Sequence, residues 1–147
     1  MAQPRTPALP RGQLAALLII VLANYLAQVP YALDLYGTHV SGRGLILLAL
    51  TLAWFLTGVV LNQKGRQAGH WLLFSFLVTE FAFYFHGQIL GIANGYGLVY
   101  LLVHAHDTIV RWVFVVGDIN FAAAGYFALY LLRRRKLSAE EVTRRAD

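Results

Sequence analysis

The sequence predicts an all-α integral membrane protein, an up-and-down bundle of four transmembrane helices with both termini on the cytoplasmic side. Three observations carry this. Of 147 residues, 59% are hydrophobic and 13% are charged, with a mean hydropathy of +0.58, about half the charge share of an ordinary soluble domain. Four apolar stretches approach or exceed the roughly 20 residues needed to cross a hydrocarbon core of about 30 Å. The basic residues crowd the flanks of those stretches, mostly on one side.

The first span is expected over residues 13–33, behind a Pro- and Arg-containing tail at 1–12. Tyr25 and Ala27 make a poor small-x-small cleavage site, so the span should be retained rather than removed. Pro30 takes one hydrogen bond from the last turn and predicts a kink there. The second span, 44–61, follows a loop carrying Asp34, His39 and Arg43. The third, 70–91, follows the polar turn Asn62-Gln63-Lys64-Gly65-Arg66. Residues 92–103 are Gly-rich and then apolar but too short to cross, which predicts an interfacial or re-entrant segment. The fourth span, 108–132, stops at Arg133-Arg134-Arg135-Lys136. The membrane domain is thus 13–132, followed by a cytoplasmic tail at 133–147 in which Ser138 and Glu141 have the spacing of a capping box.

Orientation follows from the cations. With four spans, Arg5, Arg11, Lys64, Arg66, Arg133, Arg134, Arg135, Lys136, Arg144 and Arg145 lie on one side, and Arg43 and Arg111 on the other. The positive-inside rule places both termini in the cytoplasm and suggests a plasma or bacterial inner membrane. Trp71 and Trp112 fall near span ends, where amphipathic rings prefer to sit, whereas Trp54 lies deeper and reads as packing.

The composition also excludes chemistries. The chain has no cysteine, so disulfides, Fe–S clusters, thiolate metal sites and cysteine nucleophiles are absent. No phosphate-binding glycine loop, nucleophile elbow or H-E-x-x-H occurs, and an enzyme is not the favoured reading. The net charge of +5 could suggest nucleic acid, but its placement reads as membrane topology. Asn24-Tyr25-Leu26-Ala27-Gln28-Val29-Pro30-Tyr31 and Gly117-Asp118-Ile119-Asn120-Phe121 are distinctive stretches that select no family.

Polar residues inside the spans need an explanation, because a carboxylate at helix centre costs at least about 2.5 kcal/mol on insertion scales. At a rise of about 1.5 Å per residue, Asn24, Thr51, Glu80, Asn120 and Asp118 lie roughly 15 to 21 Å from the cytoplasmic ends of their spans. Every helix therefore offers a polar side chain near the midplane. Gln28 shares a face with Asn24, Tyr84 with Glu80, and Arg111 and Asp107 with Asp118. One reading is a polar zipper that fixes helix register, helped by small residues such as Ala124 and Ala128. The other is a midplane site in which a desolvated carboxyl loads and releases a proton or binds a solute.

A third reading concerns the outer face, where His86, His104, His106 and Asp107 could ligate a metal ion or a haem. The expected cofactor is otherwise none. Expected partners are the lipid bilayer and either further copies of the chain or a larger membrane complex, with no nucleic acid. The functional expectation is a small transport or proton-handling protein, with a structural or assembly role as the alternative.

Overall fold

The computed structural model describes residues 8–32, 43–93 and 108–146, which form four α-helices: α1 (Arg11–Ala32), α2 (Arg43–Gln63), α3 (Gln67–Ala93) and α4 (Thr108–Ala146). All four are long and apolar enough to cross a membrane. Ile19, Leu26, Leu47, Leu50, Phe83 and Leu129 are more than half exposed on their outer faces. Water would drive so much apolar surface together, whereas hydrocarbon solvates it. These are the properties of a multi-pass integral membrane protein.

The inward residues recur at spacings of three and four. They are Leu17, Val21, Asn24 and Gln28 in α1; Leu48, Leu52, Phe55, Val59 and Asn62 in α2; Leu73, Leu77, Glu80 and Tyr84 in α3; and Gly117, Asn120, Ala124, Phe127 and Leu131 in α4, all buried or half-buried. This is the seam of helices packed at small crossing angles, where one stripe per helix meets its neighbours. The helices form a ring in which α2 packs on α1 and α3, and α4 on α3 and α1. Helices α1 and α3 thus occupy opposite corners, as do α2 and α4.

The closest pair is α2–α3. A Cβ added at Gly58 would stand 2.9 Å from the Leu73 backbone nitrogen, and one at Gly69 would strike the backbone of Leu61 and Asn62. Across the same interface the Trp54 indole donates to the Leu72 carbonyl at 3.0 Å, and its ring meets Phe76 edge-on. The turn between them ends α2 with a Schellman motif. Gly65 adopts φ 67°, its N–H donates to Asn62 O at 2.9 Å, and Arg66 N–H donates to Leu61 O at 3.0 Å. A left-handed residue at that position is the normal place for glycine.

Both ends of the ring's antiparallel order are tied at one level. Leu9 N–H donates to Asn62 Oδ1 at 3.1 Å, Gln63 Nε2 donates to Leu9 O at 3.3 Å, and Arg134 Nη1 donates to Ala8 O at 2.6 Å. The start of α1, the end of α2, the start of α3 and the Arg134 turn of α4 therefore share one end of the bundle, here called the basic end. Leu9, placed by the sequence in a solvated tail, is buried in the core at 3% exposure.

Four helices lie where four spans are expected: α2 and α3 run a few residues past the expected bounds, α1 covers Arg11–Ala32, and α4 continues well beyond 132 to Ala146. One expectation differs. Ser138 does not cap a new helix, because α4 runs unbroken through it to Ala146; no Gly or Pro interrupts 126–146, and Arg, Lys, Leu, Ala and Glu are good helix formers. α1 runs through Pro30 to Ala32, close to its expected end. Residues 33–42 and 94–107, with the loop residues Asp34 and His39 and most of the segment expected to be re-entrant, lie outside the described residues.

The Gly58 contact gives a first prediction. Gly58→Val must push α2 from the Leu73 backbone and is expected to destabilise the bundle by about 1–3 kcal/mol. Gly12→Ala, with nothing within 4 Å of its added Cβ, should leave the unfolding midpoint in detergent nearly unchanged.

Candidate functional site

Four turns from the basic end, the apolar seam gives way to polar side chains in every helix. The apolar stretch below it is tightly packed: Leu17, Phe55, Leu73, Phe76 and Leu77 are each at most 1% exposed. Above it, α1 presents Asn24, Tyr25 and Gln28, α2 presents Thr51, α3 presents Glu80 and Tyr84, and α4 presents Asn120.

These residues bond across the ring. Gln28 Nε2 donates to the Tyr84 hydroxyl at 2.6 Å, and that hydroxyl donates to Asn24 Oδ1 at 2.7 Å. Gln28 also reaches Asn24 Oδ1 at 3.4 Å. The chain of donors thus runs from Gln28 through Tyr84 to Asn24 and joins opposite corners of the bundle, α1 and α3. Tyr84 can stand there because α4 has a glycine beside it: a Cβ at Gly117 would meet the Tyr84 ring at 3.1 Å.

Glu80 lies one helical turn below Tyr84. Its Oε2 accepts from Asn120 Nδ2 at 2.9 Å, which ties α3 to α4. Among the described residues Glu80 has no cationic partner and no second hydrogen bond. Thr51 donates back to the Leu47 and Leu48 carbonyls of its own helix at 3.0 and 3.1 Å.

Of the residues singled out from the sequence, Asn24, Gln28 and Tyr84 bond to one another and Glu80 bonds to Asn120, whereas the Thr51 hydroxyl bonds back to its own helix. Asp118 does not join Glu80. It is half-buried on the α4 stripe that carries Phe121 and Gly125, which pack on the Phe81 ring of α3. The Arg111 side chain, His104, His106 and Asp107 lie outside the described residues. His86 is exposed near the far end of α3, and no group of three or more His, Asp or Glu that could hold a metal ion occurs among the described residues.

The basic end also buries polar groups. His70 is 2% exposed and Asn62 1%, and among the described residues both His70 ring nitrogens, Asn62 Nδ2 and, at the same end, Gln13 Oε1 have no hydrogen-bond partner. A lone histidine at a span end reads as interfacial; only the close seating of Gly69 on α2, which the Asn62–Gly69 spacing does not reveal, draws His70 inward.

The Tyr84 bonds give a second prediction. Tyr84→Phe interrupts the donor chain and leaves Asn24 and Gln28 without their shared partner, a loss of about 0.6–1.7 kcal/mol for interhelical hydrogen bonds in a bilayer. Tyr126→Phe, at an exposed position, should change the same denaturation curve far less. Comparison with known protein families, curated proteins and solved structures finds no match to this chain.

Proposed function

We propose that this is a small proton- or solute-handling membrane protein whose working group is the Glu80 carboxyl. One observation carries the reading: Glu80 stands at mid-height of a membrane bundle with a single neutral partner, Asn120, and no cation among the described residues to hold it ionised. A carboxyl so placed is stable in hydrocarbon when protonated, and needs water or a bound cation when it is not. The Gln28–Tyr84–Asn24 chain and the Tyr25 hydroxyl supply neighbouring donors and acceptors for a proton or a small polar solute. Asp118, higher in α4, is a second carboxyl on the flank of the same helix pair.

The closed apolar layer of Leu17, Phe55, Phe76 and Leu77 leaves a single bundle little room for a private path to the basic end. The reading therefore includes further copies of the chain or a larger membrane complex. The clustered cations support a basic end in the cytoplasm, with both termini on that side of the plasma or inner membrane.

That same apolar layer favours a second reading, in which the polar side chains only fix helix register in a structural or assembly protein. Glu80→Gln separates the two. It keeps a carbonyl oxygen for Asn120 Nδ2, so stability should shift by less than about 1 kcal/mol. In proteoliposomes carrying an internal pH dye, proton-coupled flux should fall to the background of empty vesicles. Undiminished flux in Glu80→Gln would remove Glu80 from the role, and absence of flux in the native protein would favour the structural reading.

A further inference from the structure

At the basic end, α3 and α4 bring an aromatic ring and a cation together at the level where the spans end. The Arg135 guanidinium lies over the Trp71 ring, 4.3 Å from its centroid. Trp71 is 39% exposed, and Arg135 is exposed as well, so the pair sits on the surface of the bundle rather than in its core. Stacking uses the face of a guanidinium and leaves its in-plane N–H donors directed outward. No protein acceptor takes them among the described residues.

The neighbouring charge has one sign. Arg133 and Lys136 flank Arg135 and are exposed; Arg11, Lys64 and Arg66 are exposed on the other helices at this end. Arg134 is engaged by Ala8 O and lies over the Tyr130 ring at 5.5 Å. The nearest acidic residues along α4 are Glu140 and Glu141, more than one turn farther from the bundle. The apolar outer faces of α3 and α4, with Phe74 and Leu132, begin immediately beside the pair. An acyl chain lying along those faces would carry its headgroup to this level.

We propose that Trp71 and Arg135, at the α3–α4 seam of the basic end, form a binding site for the phosphate of an anionic phospholipid. The guanidinium edge donates to the phosphate oxygens, Trp71 holds the guanidinium in place and borders the glycerol region, and Arg133 and Lys136 favour a headgroup with net negative charge. The site is independent of whether Glu80 moves protons.

The test uses the full chain reconstituted in vesicles of mixed phosphatidylcholine and phosphatidylglycerol, then released in mild detergent for native mass spectrometry. The native protein should retain phosphatidylglycerol in preference to phosphatidylcholine, and excess inorganic phosphate should not displace it. Arg135→Gln should weaken the preference about fivefold, the effect of one basic residue at an anionic surface. Arg135→Lys, which keeps the charge but not the stacked fork, should fall between. Unfolding midpoints of both variants should match the native protein. Equal retention of the two lipids, displacement by phosphate, or an equal loss in Lys64→Gln would overturn the site, the last because it would mean diffuse attraction to the whole basic end.

Discussion

Hydrocarbon offers no water to a polar side chain, so every such group carried into a span must be answered by another residue of the protein. The centre of this bundle is organised by that constraint. Asn24 and Tyr84 come from helices at opposite corners of the ring, and their hydrogen bond, relayed from Gln28, spans the space between them. Glu80 and Asn120 do the same for the neighbouring pair α3 and α4. Apolar packing alone discriminates weakly between rotations of helices that are apolar all round. A displacement of α3 by one residue would turn Glu80 and Tyr84 away from their partners, and the polar layer thereby sets a register that the leucines could not.

Small residues let these bonds form. Gly58 and Gly69 allow α2 and α3 to approach at backbone distance, which levels the two helices at their shared turn. Gly117 leaves a space into which the Tyr84 ring fits, and Gly125 does so for Phe81. In lipid, where association gains nothing from expelling water between apolar faces, such close approach is the main source of attraction. The glycines and the polar layer are thus two parts of one arrangement: the first sets the distance between helices and the second sets their rotation.

Much of this was legible in the sequence, and the parts that were not share a reason. Span length and charge asymmetry depend on composition along the chain, so four helices followed directly from the apolar runs and their flanks. The common height of Asn24, Thr51, Glu80 and Asn120 followed from the rise per residue, and the pairing of Tyr84 with Glu80 on one face from their spacing of four. Rotation about the axis was less accessible. Asp118 and Asn120 differ by two positions, about 200° around the helix, so both could not face Glu80. The sequence offers both, and the small inward series Gly117, Asn120, Ala124 is the one that meets the bulky series on α3. Leu9 and His70 were missed because their burial depends on contacts between segments, the strap of residues 8–10 over Asn62 and the seating of Gly69, rather than on any local pattern.

The two polar zones have different characters, and this bears on what the bundle can do. At mid-height the side chains are joined in a directed chain, and among the described residues the buried Asn24 Nδ2 and one Glu80 oxygen have no hydrogen-bond partner. At the basic end Asn62 and His70 are buried with donors and acceptors unmet, a condition that disfavours a rigid closed state by about 1–3 kcal/mol per group. Between them lies a stretch with no polar side chain on the seam, Leu17, Val21, Phe55, Phe76 and Leu77, packed to near-complete exclusion of solvent. A proton or solute passing from Glu80 to the basic end would have to separate those rings and leucines, each at most 2% exposed. In the arrangement described here the bundle is therefore shut on that side. At the His70 end the start of the chain is held over this barrier by three hydrogen bonds, Leu9 N–H to Asn62 Oδ1, Gln63 Nε2 to Leu9 O and Arg134 Nη1 to Ala8 O.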